Sequence, residues 1–122
     1  MTKNSDAKLK DTGTRLTANL SDVEDDIYQV KNQSGQDPLN FPIKINNRLA
    51  NLLRVVTTGD GRPIANAPVL LGEYSRLLAV QTARLRRVLD TDLVAFNAEI
   101  KRLGLATINA NCPGKEICGA VP

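Results

Sequence analysis

Apolar residues recur at steps of three, four or seven positions in the first quarter of the chain. The repeating positions are Leu9, Leu16, Leu20, Val23, Ile27 and Val30. This spacing places the side chains on one face of an α-helix and is typical of a heptad seam. It predicts a first helix over residues 14–32. The preceding residues 1–12 are polar and charged, so we expect a disordered N-terminal segment there.

Two prolines and a glycine follow the first helix and predict a rigid corner. Gly35 permits the left-handed backbone that ends many helices, and neither Pro38 nor Pro42 can continue a helical hydrogen-bond ladder. A residue that precedes proline favours extended backbone, so we expect Asp37 and Phe41 to lie outside any helix. The corner therefore separates the first helix from the second.

A second amphipathic stripe begins directly after the corner. Its apolar residues follow the i, i+4, i+7, i+8, i+11 pattern of one helix face and are Ile45, Leu49, Leu52, Leu53 and Val56. The pattern predicts a second helix over residues 43–57. The following sequence, TTGDGRP, contains two glycines and a proline, which indicate an exposed turn.

A longer stripe predicts a third helix over residues 67–103. Its positions are Leu70, Tyr74, Leu77, Leu78, Gln81, Leu85, Val88, Leu89, Phe96, Ile100 and Leu103. No glycine or proline interrupts residues 73–103. The Asp-Thr-Asp sequence at residues 90–92 is a weak point at which we expect the helix to bend, and Gly104 is suited to end it.

Three amphipathic helices with short connections bury their stripes against each other. The sequence therefore predicts an all-α fold: an up-down-up three-helix bundle over residues 13–106, with coiled-coil-like packing and a long C-terminal helix. An irregular tail over residues 107–122 follows it. We expect surface ion pairs, worth about 0–1 kcal/mol each, between the acidic first helix and four arginines of the third helix. These are Arg76, Arg84, Arg86 and Arg87.

The amino-acid composition offers few side chains that are typical of catalytic or metal sites. The 122 residues include 16 basic and 13 acidic side chains, for a net charge of +3, and they include neither histidine nor tryptophan. Histidine is the commonest general base and metal ligand, so we expect no catalytic residue, cofactor or metal site. We expect no membrane span, because no apolar run approaches ~18 residues. The N-terminal sequence also lacks the apolar core of a secretory signal.

Three local motifs each allow two interpretations. The acidic sequence SDVEDD at residues 21–26 fits a solvated helix face better than a Ca²⁺ loop, because its carboxylates spread round a helix. The basic sequence RLRR at residues 84–87 makes weak nucleic-acid binding an alternative function. Acidic residues follow it and no aromatic platform lies beside it, which argues against that function. Cys112 and Cys118 form either a local disulfide or two free thiols.

The corner is the candidate interaction site of the chain. Its polar side chains either cap the ends of helices, which is the simpler interpretation, or bind the backbone of a partner. The residues of this candidate site are Asn40, Phe41, Pro42, Lys44, Asn46 and Asn47.

Two segments carry a resemblance to a known family. The first, residues 25–56, has matching residues at Tyr28, Val30, Asn32, Asp37, Leu39, Asn40, Pro42, Ile43, Lys44, Asn46 and Asn47. The second is the long final helix with the sequence TDLVAFN at residues 91–97. Over residues 15–108 the chain resembles the C-terminal helical region of large bacterial sortilin-like β-propeller proteins. These proteins contain BNR (Asp-box) repeats and are often labelled glycosyl hydrolases.

The resemblance implies a non-catalytic helical module that packs on a neighbouring β-propeller, on a second copy or on another partner. In such proteins the propeller would carry any substrate site, so an alternative is a fragment of a glycosyl hydrolase whose activity lies in the missing propeller. The Asp-box pattern S-x-D-x-G-x-T-W does not occur in this chain. The resemblance offers no catalytic residue in this region, and it implies a periplasmic or extracellular location if the chain belongs to a larger exported protein.

Overall fold

The computed structural model describes residues 2–110, with side chains from residue 7 onward. Within this range the regular secondary structure is helical, without a β-strand, so the predicted all-α class is confirmed there. The elements are α1 (Thr2–Ile27), a 3₁₀ turn (Asp37–Leu39), α2 (Ile45–Thr57), α3 (Ala67–Val88), a π turn (Leu89–Leu93) and α4 (Val94–Arg102).

The chain forms two compact units. We call residues 18–86 the central unit, and we call residues 2–17 together with residues 87–110 the terminal unit. The boundaries fall inside α1 and α3, so each of these two helices contributes to both units.

Helix α1 begins earlier than the sequence indicated. It is helical from Thr2, whereas the apolar spacing predicted a start at residue 14. The physical reason lies in tertiary partners that composition does not reveal. The Lys8 ammonium lies 2.9 Å from the carboxylate of Glu99, on α4.

Helix α1 also ends earlier than the predicted residue 32. Its last residue is Ile27, and the Tyr28 N–H makes one further helical bond, to the Glu24 carbonyl oxygen. The buried side chain of Gln29 instead donates from Nε2 to the Pro42 carbonyl oxygen at 2.8 Å. The chain therefore leaves the helix where it meets the corner.

The second and third helices lie where the sequence placed them. Helix α2 starts after Lys44, and the backbone then remains helical over residues 67–102 through α3, the π turn and α4. The π turn includes the predicted weak point, and the Thr91 hydroxyl there donates to the Arg87 carbonyl oxygen at 2.7 Å. A side chain that binds the preceding turn in this way competes with regular helical bonding.

Gly104 ends the last helix, as predicted. Its φ of +74° is the left-handed conformation that glycine adopts without a Cβ penalty. The Gly104 N–H donates to the Lys101 carbonyl oxygen at 3.0 Å, and the Leu105 N–H donates to the Ile100 carbonyl oxygen at 3.1 Å. These two bonds are those of a Schellman motif.

In the central unit, the second half of α1 packs with α2 and the first part of α3. Its buried apolar side chains are Val23, Ile45, Leu52 and Ala67. The Arg84 guanidinium lies 2.6 Å from the Asp26 carboxylate and links α3 to α1. This is the one ion pair between the acidic first helix and the four named arginines that the described residues show.

In the terminal unit, the first half of α1 packs on α4. The buried apolar side chains are Leu16, Val88, Leu93 and Ile100. A Cβ built at Gly13 would lie 3.1 Å from Cε2 of Phe96, so the absent side chain is what allows this close approach.

The predicted stripes are buried or half-buried along α1 and along the third helix, except Val30, which lies beyond the end of α1. The tail is non-helical over residues 105–110, where Asn97 binds the backbone of Ile108 through two hydrogen bonds of 2.7 and 2.8 Å. The rest of the predicted tail, including Cys112 and Cys118, lies outside the described residues, and both interpretations of the cysteines remain predictions.

Candidate interaction surface

The corner is organised by the carboxylate of Asp37. It accepts hydrogen bonds from the backbone N–H of Gln33, from the backbone N–H of Ser34 at 2.7 Å and from the Ser34 hydroxyl at 2.8 Å. The Gln33 N–H, followed by the two Ser34 donors, lowers the pKa of Asp37 from its ordinary value. Asp37 also begins the 3₁₀ turn, so the expectation that it lies outside any helix is wrong. Its carbonyl oxygen accepts the bonds that close this turn, from Asn40 and Phe41.

Two residues that follow α1 contact the corner. Gln29, which is 8% exposed, binds the carbonyl oxygen of Pro42, and the Lys31 ammonium lies 5.8 Å from the centre of the Phe41 ring. The second distance is within the range of a cation–π contact. Phe41 and Pro42 are therefore fixed relative to α1.

The predicted site residues differ in exposure. Lys44 occupies the N-cap position of α2 but its side chain makes no capping bond. The amide oxygen of Asn47 is buried and has no hydrogen-bond partner. The exposed residues of the candidate site are Asn40, Pro42 and Asn46, and the half-buried ones are Phe41, Lys44 and Asn47. Partner binding by these six residues remains a prediction.

A larger feature of the central unit is an open cavity between α2 and the start of α3, which we call the apolar groove. It has a volume of ≈ 490 Å³. Leu53 and Leu71 line it although they are 63% and 52% exposed. The lining residues are Leu49, Leu52, Leu53, Val56, Pro63, Ala67, Pro68 and Leu71.

A second cavity, of ≈ 420 Å³, lies further along α3, and we call it the small-residue cavity. Its lining residues are Ser75, Leu78, Ala79, Thr82, Ala83 and Arg86. Five positions from the two cavities follow steps of three, four, three and four residues, which places both cavities on one face of α3. These positions are Pro68, Leu71, Ser75, Leu78 and Thr82.

Sequence reasoning missed both cavities. It assigned Leu53 to a buried stripe and did not single out Leu71. The signal available in the sequence was the row of residues on α3 from Pro68 to Thr82, which are spaced by three and four positions. That row mixes leucine with serine, threonine and proline, so it gives only a weak apolar pattern.

Three arginines of the central unit form no ion pair within the described part of the chain: Arg54, Arg62 and Arg86. Of these, Arg86 lines the small-residue cavity. Arg54 donates to the neutral amide oxygen of Asn51 at 3.1 Å.

The acidic sequence at residues 21–26 is arranged as a solvated helix face. Asp22, Glu24 and Asp25 are exposed, and Asp26 pairs with Arg84. Within residues 2–110, no three His, Cys, Asp or Glu side chains come together as a potential metal site. Over the same residues, no helix combines the length and apolar character that crossing a bilayer requires.

Comparison of the chain with protein-family models, curated proteins and solved structures finds no match. The resemblance to the C-terminal region of BNR-repeat propeller proteins therefore remains a prediction.

Proposed function

We propose that this chain is a non-catalytic helical interaction module that binds its partner through exposed apolar side chains. The observation that supports this function is the apolar groove, at which Leu53 and Leu71 remain more than half exposed. A contiguous, exposed apolar patch on a folded domain is typical of a binding surface. Scattered single residues on a surface would not support the same inference.

The proposal includes the finer architecture that the sequence indicated. An up-down-up order with coiled-coil-like packing is supported by the burial of the heptad positions Leu16 and Val23 on α1. The nine-residue connection at residues 58–66 supports α2 and α3 as antiparallel neighbours as well.

The proposed biological setting follows from the resemblance over residues 15–108. The chain would act as an accessory domain of a BNR-repeat β-propeller protein, packing on the propeller or on a second copy of itself. Any glycosyl hydrolase activity would then reside in the propeller. A periplasmic or extracellular location follows if the larger protein is exported.

Isothermal titration calorimetry, combined with sedimentation velocity, tests the module directly. The titrant is the propeller domain of a protein from the resembled family, prepared without its own C-terminal region. We expect saturable binding or a concentration-dependent dimer, weakened in the double variant Leu53→Gln, Leu71→Gln. Val80→Gln is the matched control, because Val80 is 50% exposed on α3 but lines neither cavity.

A panel of chromogenic glycosides tests the competing enzymatic function. We expect no turnover by the chain alone. Hydrolysis that disappears when one carboxylate is replaced by its amide would overturn the non-catalytic proposal.

A further inference from the structure

The connection between α2 and α3 contains an aspartate followed directly by a glycine. Asp60 and Gly61 form this pair, and nowhere else in the chain does glycine follow aspartate or asparagine. We call residues 58–66 the α2–α3 turn. Every residue of this turn is exposed. Exposed loop tips with small and polar residues are the parts of a folded chain that are most open to covalent change.

Hydrogen bonds hold the two ends of the α2–α3 turn but not its middle. At the first end, the Thr58 hydroxyl donates to the Arg54 carbonyl oxygen at 2.6 Å. At the other end, the Ala67 N–H donates to the Ile64 carbonyl oxygen at 3.0 Å. Residues 59–63 form no hydrogen bond or ion pair with any other described residue. The Gly61 N–H is therefore not engaged by the described part of the fold.

The space around Gly61 is open as well. A Cβ built there would meet nothing within 4 Å, and the same is true at Gly59. Glycine rotates about its backbone bonds more freely than any other residue, because it carries no Cβ. The side-chain carboxyl carbon of Asp60 and the nitrogen of Gly61 can therefore approach each other without displacing a packed neighbour.

The other aspartates of the chain lack this combination. Asp37 precedes Pro38, whose nitrogen carries no hydrogen. The remaining aspartates each precede a residue inside α1 or the π turn, where helical hydrogen bonding uses the backbone N–H. They are Asp6, Asp11, Asp22, Asp25, Asp26, Asp90 and Asp92. The fold thus leaves one aspartate next to a backbone nitrogen that is free to react.

We infer that Asp60 is a site of spontaneous isomerisation to isoaspartate. The nitrogen of Gly61 attacks the side-chain carboxyl carbon of Asp60 and forms a new N–C bond. The hydrogen of that nitrogen and the hydroxyl of the carboxyl group leave together as water, and the product is a cyclic succinimide. The reacting groups are neighbours in the chain, so the step is intramolecular and needs no cofactor.

Solvent water then opens the succinimide ring. Addition of water to the main-chain carbonyl carbon breaks its bond to the Gly61 nitrogen, which takes up a proton, and releases that carbon as a free carboxylate. The main chain then runs through the former side chain of residue 60 and is longer by a methylene group. Addition to the other ring carbonyl restores aspartate. Because the reaction uses only the chain and water, it is independent of the proposed interaction module.

Peptide mapping of the aged full chain tests this inference. The chain is incubated at neutral pH and physiological temperature, then digested with trypsin, and isoaspartate is assigned by electron-transfer fragmentation. A synthetic peptide with the sequence TTGDGRP, residues 57–63, is aged beside it. We expect Asp60 in the folded chain to isomerise within about threefold of the rate in the free peptide, because the fold does not protect it. The helical aspartates are expected to react about tenfold or more slowly than Asp60.

Variants assign the reaction to this pair of residues. Gly61→Val is expected to slow isoaspartate formation at Asp60 by about tenfold or more, because a branched side chain restricts the backbone and crowds the nitrogen. Asp60→Glu is expected to abolish the signal at residue 60, since the longer side chain would have to close a larger ring. Ile64→Val is the matched control, because Ile64 is exposed in the same turn but takes no part in the reaction. Circular dichroism establishes that each variant is folded.

Three results would overturn the inference. A rate at Asp60 that is about tenfold or more below that of the free peptide would show that the fold protects the site. Equal isomerisation at the helical aspartates would show that the fold does not select Asp60. An unchanged rate in Gly61→Val would show that the open glycine nitrogen is not what makes this position reactive.

Discussion

The two units of the chain use their apolar and charged residues in opposite ways. Among residues 7–110, ten of the thirteen exposed large apolar side chains belong to the central unit, which is the larger of the two, and each unit has four buried apolar residues there. The terminal unit instead buries carboxylates: the side chains of Glu99 and Asp92 are 8% and 13% exposed, and both are paired with cations. The terminal unit thus pairs its buried carboxylates internally, whereas most of the exposed apolar side chains described lie in the central unit.

The paired carboxylates explain how this difference arises. Glu99 on α4 contacts Lys8 on α1 at 2.9 Å and Arg102 at 2.8 Å, while Asp92 in the π turn contacts Arg15 at 3.0 Å. Both cross-helix pairs join α1 to the segment that follows α3. In the central unit, the Asp26 carboxylate that pairs with Arg84 is 46% exposed, so solvent reaches this carboxylate more than it reaches Glu99 or Asp92.

The largest expected effect comes from truncating side chains in the small apolar cores that both units contain. Leu52→Ala in the central unit and Leu16→Ala in the terminal unit each remove a side chain that is no more than 8% exposed. We expect each to lower the free energy of unfolding by about 2–5 kcal/mol, since each leaves a cavity. Urea denaturation measures this loss, and a loss confined to one unit would show that only that unit supports the fold.

The next effect concerns the close helix contact of the terminal unit. Gly13→Leu inserts a side chain where Phe96 already lies 3.1 Å from the position of a Cβ. We expect a loss of about 1–3 kcal/mol from this overpacking, measured by urea denaturation. Gly72→Leu is the control, because nothing lies within 4 Å of a Cβ at Gly72, on a helix of the central unit. Equal losses for the two variants would contradict close packing at Gly13.

A smaller effect is expected at the end of α4. Gly104→Ala forces a Cβ into a left-handed conformation, at a cost of about 1 kcal/mol. Gly61→Ala provides the matched control, since a Cβ there meets open space and its φ is not in the left-handed region. Thermal unfolding should show a lower Tm for the first variant alone; unchanged Tm in both would argue against the Schellman ending.

The last prediction uses pH to test the paired carboxylate of the terminal unit. Hydrogen bonds from Lys8 and then Arg102 lower the pKa of Glu99, so its stabilisation is present above its unfolded pKa of about 4.3. That stabilisation is lost as pH falls through the lower folded pKa. We expect Glu99→Gln to have a lower Tm than the wild type at pH 7 and a difference that shrinks as the pH falls below about 4.3. A Tm difference that is independent of pH would indicate lost packing instead of lost charge.

Much of the fold was predictable because it depends on local pattern. The stripes located α2 and the third helix, the Asp-Thr-Asp sequence marked the π turn, and Gly104 marked the final helix end. The start of α1 was not predictable in this way. Its first residues are polar and show no apolar periodicity. Lys8 in this segment contacts Glu99, a residue that is far away in the sequence.

The candidate surface was less predictable than the fold for a related reason. Leu52 and Leu53 are adjacent and chemically identical, and both fit the apolar stripe of α2. Only the packed arrangement separates them, with Leu52 at 8% exposure and Leu53 at 63%. The role of Asp37 was not predictable either. The preference of a residue before proline for extended backbone takes no account of the Gln33 and Ser34 N–H groups that bind the Asp37 carboxylate.

The free energy of unfolding of the double variant Leu53→Gln, Leu71→Gln tests most directly whether the apolar groove serves binding and not folding. Leu53 and Leu71 are more than half exposed, so we expect urea denaturation to give a value within about 0.5 kcal/mol of the wild type. A loss of about 2 kcal/mol or more for each leucine would show that both belong to the core and would contradict a surface left open for a partner.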